Sequence, residues 1–524
     1  MIINKRIITG NIYPQDKHKN PIYNPFGKYV VKLYLNGLWR GVTIDDYFPV
    51  DEDNNMLWSY STNGKLWWSL LEKAYLKVYS QYGLSDINTS RDLHIFTSWI
   101  PDRIKFDKVD DIDELWTRLI RADQTRDVMV SVSTWNLSNA KDLGLVEWHA
   151  YSVLEFKEVD DQKFVLLSDP FGRFSWKGEY SVYDTKSWTP KLKRDLGYDM
   201  LMQKYKGSFW MEFETCAKIF AIIDCNWNPD MFCYSIQKFG LWKISHMVQG
   251  FDDVSKSPQY TLKFNPNDND LIGSNCLYVV LSRLIVDEKD HFSEILEKTS
   301  DFISVHLFQN DIDKGVLHNM ENSIWSNVFK NELIHSFKIL IPPESIDKVF
   351  TLIIAQDSMK KDLYYSLKVF SSVKFELNKA KLYENHYEIP IDQAEGGGTP
   401  NHDTFDMNPQ IYFKAIEHSS EAFNCWLSYK VHEHETAVKV YVVRSDDPQI
   451  ISCLTTSNLM GDKDTTFKNK NWSQHFRLNS DESYVAIVST FNAQDPITGD
   501  FSIKSDVPIE YQLIDPKQSE FSKK

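Results

Sequence analysis

Two polar side chains stand out by type and setting. His149 lies where a polar loop gives way to a β-rich run, residues 149–156, and Asp169 follows a second apolar run, residues 164–167, and opens a Pro-aromatic-Gly turn. If the two runs pair as adjacent antiparallel strands, both side chains meet at one end of a sheet. An imidazole held by a carboxylate is the base-plus-orienter half of a nucleophilic catalytic unit. The other half is a nucleophile. Cysteines stand at Cys216, Cys225, Cys233, Cys276, Cys425 and Cys453, so the first 215 residues contain none. A thiolate must lie within hydrogen-bond reach of its base, and all six follow the histidine by a wide margin. No catalytic nucleophile is therefore assigned.

Other chemistries are weaker. His432 and His434 sit at i and i+2, one face of a strand, but no third metal ligand is near them in sequence. Acidic runs at 252–253, 268–270 and 287–290 have the composition of calcium-binding loops and equally of solvated turns. Gly396-Gly397-Gly398-Thr399-Pro400 lacks the following Lys-Ser/Thr and the strand–turn–helix setting of a phosphate loop, so it reads as a loop. The cysteine spacing matches no metal motif. No metal and no cofactor are expected. The net charge of -15 argues against a nucleic-acid partner, which needs an excess of Lys and Arg on some face.

The elements that must position His149 and Asp169 follow from periodicity. The chain of 524 residues, 42% hydrophobic and 14% aromatic, has material for several cores. Residues 30–34 and 40–44 flank Asn36-Gly37, a hairpin signal. Residues 66–79 place Trp67, Leu70, Leu71, Ala74 and Val78 at helical spacing, and Trp67, Trp68 and Trp99 are expected in the core. From 102 to 230 strands are expected to dominate, at 128–132, 149–156 and 164–167, with a helix over 211–220. From about 236 onward, short strands at 260–264, 276–281, 337–340 and 439–443, separated by Asn, Asp, Gly and Pro clusters, suggest β-sandwiches. No apolar run approaches the length of a spanning helix, and the N-terminus lacks a secretory h-region. Reduced thiols and a cytoplasmic setting are expected.

The words around the two candidate residues are not generic. Trp148-His149-Ala150-Tyr151-Ser152-Val153, Asp169-Pro170-Phe171-Gly172 and Trp176-Lys177-Gly178-Glu179-Tyr180-Ser181 resemble the strand and turn of the calpain family of papain-like cysteine proteases. Other landmarks fall in order: GLWRGVTIDDYFP at 37–49, WSLLEKAY at 68–75 and FWMEF at 209–213. Ile12-Tyr13-Pro14-Gln15 and residues 21–30 resemble the PalB-type branch, in which two C2-like sandwiches follow the protease core; Ser257-Pro258-Gln259-Tyr260 and Asn408-Pro409-Gln410 fit that plan.

The resemblance implies an α+β chain: a remnant of the first protease subdomain at 1–100, a second subdomain at 101–235, and C2-like sandwiches at 236–380 and 381–524. It implies His149 as general base and acid, Asp169 (where the family usually has Asn) as orienter and Phe171 (where it has Trp) as apolar shield. A carboxylate at 169 would also favour imidazolium. The implied activity is limited proteolysis of intracellular proteins, linked to pH signalling or endosomal sorting. The family's nucleophile lies upstream of Arg6-Ile7-Ile8, so the chain is expected to be inactive as it stands and the natural protein to begin before Met1. The alternative is a non-catalytic adaptor that binds protein partners through its C2-like domains. Residues Gly83, Ser175 and Val182 stand where the family places calcium-binding acids, so the protease core is expected to be calcium-independent.

Overall fold

The computed structural model describes residues 5–57, 59–61, 64–79, 88–172, 175–205, 207–244, 257–265, 276–283, 302–310, 324–326, 328–357, 362–381, 385–416, 422–432, 436–455, 457–461, 467–469 and 471–514. Gly83, His434 and the acidic runs at 252–253, 268–270 and 287–290 lie outside the described residues.

The N-terminal part pairs a short helix α1 (Lys5–Thr9) with a three-stranded sheet of β1 (Ile12–Tyr13), β2 (Lys28–Leu35) and β3 (Leu38–Asp45). Asn36 and Gly37 both have positive φ, +55° and +77°, the twist that a two-residue hairpin requires. The apolar stripe of α2 (Trp67–Tyr79) buries Leu70, Leu71 and Ala74 against Val31, Leu33 and Ile44 of that hairpin. The expected hairpin and helix are both present. Trp99 is buried, whereas Trp67 and Trp68 are half-buried and stacked on each other.

Helix α3 (Thr89–Thr97) starts where the Asn88 side chain accepts a hydrogen bond from the Arg91 N–H, and stops at Ser98 in the left-handed region. It leads into the six-stranded antiparallel sheet that carries the candidate residues. That sheet comprises β4 (Ile100–Lys105), β5 (Val128–Ser133), β6 (Ala150–Val159), β7 (Gln162–Ser168), β8 (Ser208–Glu212) and β9 (Ile222–Trp227), in the order β4-β9-β5-β6-β7-β8. Helix α4 (Ile112–Thr125) joins β4 to β5, and α5 (Ala140–Leu143) lies before β6. Helices α6 (Pro190–Leu196), α7 (Tyr198–Lys204) and α8 (Phe213–Ile219) follow β7.

One sheet face is covered by α4 and α8, where Trp116, Leu119 and Phe213 meet Val130, Leu167 and Ile223. The other is covered by α6 and α7, where Leu192, Leu196 and Leu201 meet Phe164, Leu166 and Trp210. Each such large side chain contributes about 1.5–3 kcal/mol on burial. Two expectations are corrected here. Helices share the 102–230 region with the strands, and residues 211–212 close β8 rather than open a helix. The run Ser208–Glu212 completes the edge of the sheet by pairing with β7, and only the chain from Phe213 onward is free to turn helical.

Beyond Trp227 the described chain is almost all strand. A four-stranded sheet of β10 (Tyr234–Trp242), Leu363–Ser371, Cys276–Arg283 and Ile334–Leu340 shares one apolar core with a five-stranded sheet that includes Gln259–Phe264, Phe302–Asn310 and Val349–Asp357. A second pair of sheets, built from strands within Asn385–Ile514, encloses a separate core around Ile411, Leu427, Val440 and Ile503. The glycines at 396–398 sit in a closed loop: Gly397 N–H donates to Asn408 Oδ1 (2.8 Å), and Asn408 Nδ2 donates to the Gly398 carbonyl (2.9 Å). Among the described residues no helix is long and apolar enough to cross a membrane.

Candidate active site

His149 is placed by the strand beside it. Ser133 of β5 faces Ala150 of β6, and the ladder continues one step further: Thr134 N–H donates to the His149 carbonyl (2.9 Å), while His149 N–H donates to Thr134 Oγ1 (3.0 Å). Trp148 takes a φ of +52° to turn the chain into the strand. On the other side β7 ends at Ser168, which faces Ser152 of β6. Asp169 then leaves the ladder, its N–H donating to the Gly207 carbonyl (3.1 Å). Gly207 has a φ of +78°, and a Cβ there would lie 2.6 Å from the Gly172 Cα, so only glycine fits against the turn.

The two side chains meet. His149 Nε2–H donates to Asp169 Oδ1 at 2.9 Å, and the same oxygen accepts from the Phe171 N–H at 3.2 Å. Because the carboxylate only accepts, this contact fixes the proton on Nε2 and leaves Nδ1 as the basic nitrogen. The Asp169 side chain is fully buried and that of His149 nearly so. Phe171 stacks on the imidazole, with centroids 5.3 Å apart and planes 20° apart, and presents its other side to solvent. The expected trio of His149, Asp169 and Phe171 is thus brought together.

Reasoning from sequence missed Tyr151. Its ring stands edge-on to His149 (5.0 Å, 87°), and its hydroxyl accepts from the Val146 N–H at 2.9 Å. Burial raises the pKa of that phenol to about 12, so it remains a neutral hydrogen-bonding group. The signal was available, since a residue two places along a strand shares the face of the first. Trp135 and Trp148 form an exposed edge-to-face pair, 5.5 Å apart, beside the histidine.

A cavity of about 420 Å³ opens from Pro170, next to Asp169. Its walls are Trp68 and Leu71 of α2, Phe96 of α3, Met129 of β5 and Val153 of β6. The cysteines lie elsewhere in the fold. Cys216 is on α8 in the core beneath the sheet, and Cys225 is on β9, facing Asp102 and Val130. Burial pushes both thiols well above their ordinary range, which disfavours the thiolate. Ser175 is half-buried and Val182 is exposed. His432 bonds Asp500 at 2.7 Å on the far pair of sheets.

Residues 2–226 match the calpain family cysteine protease model. Human Calpain-7 is 34% identical over 389 residues, covering 72% of this chain and 46% of that protein. The calpain-like protease palB of Emericella nidulans is 27% identical over 407 residues, covering 74% of this chain and 44% of that protein. The chain thus spans less than half the length of these curated relatives. A solved structure of PNGase F, a glycosylasparaginase from Flavobacterium meningosepticum, aligns over 54% of this chain and 99% of its own, at a TM-score of 0.17 and 9% identity, which carries no weight for fold or function. Through residues 2–226 the chain belongs to the calpain family of cysteine proteases, among the PalB-type calpains.

Proposed function

We propose that the chain carries the base half of a calpain-type cysteine endopeptidase, with His149 as general base and acid, Asp169 as its orienter and Phe171 as the shield that keeps water off their contact. The observation that carries this reading is the 2.9 Å bond from His149 Nε2–H to the buried Asp169. It leaves Nδ1 to take the proton of an incoming thiol and later return it to the leaving amine.

The nucleophile is absent from this sequence, since no cysteine precedes Cys216. The apolar cavity between α2, α3 and the β5–β6 strands supports a place for a cysteine-bearing helix beside Asp169. In this reading the protease region works without calcium, because Ser175 and Val182 offer no carboxylate where the family has acids. The two pairs of sheets are C2-like domains that bind protein substrates or partners. The setting is cytoplasmic, in pH-signal processing or beside endosomal-sorting components.

The inert thiols favour a second reading, a non-catalytic adaptor that keeps the fold for binding. A fluorogenic peptide assay separates the two. The chain alone should give no turnover. Fused to the cysteine-bearing segment of human Calpain-7, it should gain thiol-dependent turnover that disappears on His149→Ala. No gain in the fusion sinks the endopeptidase reading in favour of the adaptor. Turnover by the unfused chain, lost on His149→Ala, refutes the missing nucleophile.

A further inference from the structure

We infer that the first pair of sheets, built on strands between Tyr234 and Lys379, is an internal brace that fixes the spacing between the α2-hairpin half of the protease region and the sheet that holds His149. Among the described residues, α3 links the two halves directly. Asn11 Nδ2 of the first half donates to the Phe96 carbonyl (2.8 Å). From the second half Asn226 Nδ2 donates to the Ser90 carbonyl (2.8 Å), and Thr89 Oγ1 donates to Asp224 Oδ2 (2.7 Å). One link leaves a hinge, and hinges absorb rotation at a few element ends.

The four-stranded sheet lies alongside α3, its Lys368 and Ser366 sharing a small pocket with His94 and Ser98, and supplies a second link that grips both halves. At the hairpin tip Gln237 Nε2 on β10 donates to the Gly37 carbonyl (2.8 Å). A Cβ at Gly37 would lie 2.2 Å from that nitrogen and 2.8 Å from Ser366 Oγ, so the tip is seated against the strand surface. Beside it the Lys368 ammonium lies over the ring of Tyr34, 5.8 Å from the centroid.

On the other half, Tyr278 OH donates to Asp102 Oδ2 of β4 (3.3 Å), an oxygen that also accepts from Trp227 Nε1 (3.0 Å). Tyr278, Val280 and Phe370 are members of the same core as Ile100, Trp227 and Val128. Leu333 is buried in the core of the α2-hairpin half, and Ile334, next in sequence, packs against both cores. The outer face of a sheet in a separate domain would carry polar residues; this one carries aromatics because it is an internal wall. A second attachment running along α3 restricts the rotation that the helix alone permits, so the brace sets the width of the cavity beside Asp169.

The test reads spacing, not turnover, and so stands or falls apart from the proposed activity. In the full chain with Cys233→Ser and Cys453→Ser, nitroxide labels at Lys65→Cys and Lys141→Cys report the distance between the halves. Gln237→Ala with Tyr278→Phe removes one grip on each half while leaving both cores filled. The inter-label distribution should then broaden, and the amides of the β2–β3 hairpin should exchange on the order of tenfold faster. Gly37→Val should do the same at the tip alone. If the double variant keeps the parental distribution while its hairpin amides quicken, the contacts are local and the brace is refuted. His432→Ala, on the far pair of sheets, should change neither readout; a comparable broadening there would equally overturn the assignment.

Discussion

Phe171 lies nearly parallel to His149, its ring 5.3 Å away, and its own N–H bonds the carboxylate oxygen that the histidine bonds. One residue therefore closes the imidazole from the solvent side and helps hold its partner. Phe171→Ala should cost less than about 1.5 kcal/mol, since the ring is largely exposed and stacking alone is worth about 0.5–1.5. The rate at which His149 reacts with diethylpyrocarbonate should rise several-fold. An unchanged rate would show that the ring shields nothing.

Asp169→Asn keeps an oxygen able to accept from Nε2–H, whereas Asp169→Ala removes it. Nitrogen NMR of the labelled ring should report a proton on Nε2 in the parent and in Asp169→Asn. In Asp169→Ala the two tautomers should mix. Retention of a single tautomer in the alanine variant would mean that another group sets it.

Gly207→Ala places a Cβ against backbone, 2.6 Å from the Gly172 Cα, at a φ of +78°. Chemical denaturation should show a loss of about 1–3 kcal/mol, the range for a strained backbone site. Because the Gly207 carbonyl accepts from the Asp169 N–H, the His149 ring resonances should shift as well. A stable variant with unmoved resonances would contradict the close approach.

Buried His94 should make the fold acid-sensitive. Its Nδ1–H donates to the Trp99 carbonyl (2.7 Å), and burial lowers its pKa to about 4. The unfolded chain, with an ordinary histidine near 6.5, binds the proton more readily between about pH 6.5 and 4. Stability from this group is therefore complete above about 6.5 and falls as pH drops toward 4, by roughly 3 kcal/mol at about 1.4 per pH unit. Buried His306, also lowered to about 4, adds in the same direction. His94→Gln should flatten the slope of unfolding free energy against pH; an equal slope in the variant would remove His94 as its source.

Thiol labelling should divide the cysteines by burial. Exposed Cys233 and Cys453 should react with iodoacetamide in the native chain, while Cys216, Cys225 and Cys425 should react only after denaturation. Fast native alkylation of Cys216 or Cys225 would expose a thiol that the fold is held to bury.

The site was more legible than its scaffold. His149 and Asp169 could be singled out because each borders a β-rich run, while their roles and that of Phe171 came from the resemblance of the surrounding words to the calpain family. The helix α4 was overlooked although Asp111 caps it, its side chain accepting from the N–H groups of Asp113 and Glu114, and although Leu115, Trp116, Leu119 and Ala122 share one face. Its charged outer face diluted the apolar count. The misplaced start of α8 had another cause, since Phe209, Met211 and Phe213 keep the strand period while Phe213, Ala217 and Phe220 keep the helical one, and Phe213 belongs to both. Pairing across to β7, a non-local contact, decides between them. The grip of Gln237 on Gly37 spans two hundred residues, and no local pattern could announce it.

The paired bonds between Thr134 and His149, one to the backbone carbonyl and one to the threonine hydroxyl, bear on the entropy of catalysis. The imidazole is anchored by sheet ladder, carboxylate and aromatic lid before any reactant arrives, so its rotational freedom is already spent in folding. A thiol arriving at Nδ1 would have only its own segment to order. The free energy of completing the site would then be a property of that segment and of its fit to the cavity, with the histidine contributing almost nothing to the cost.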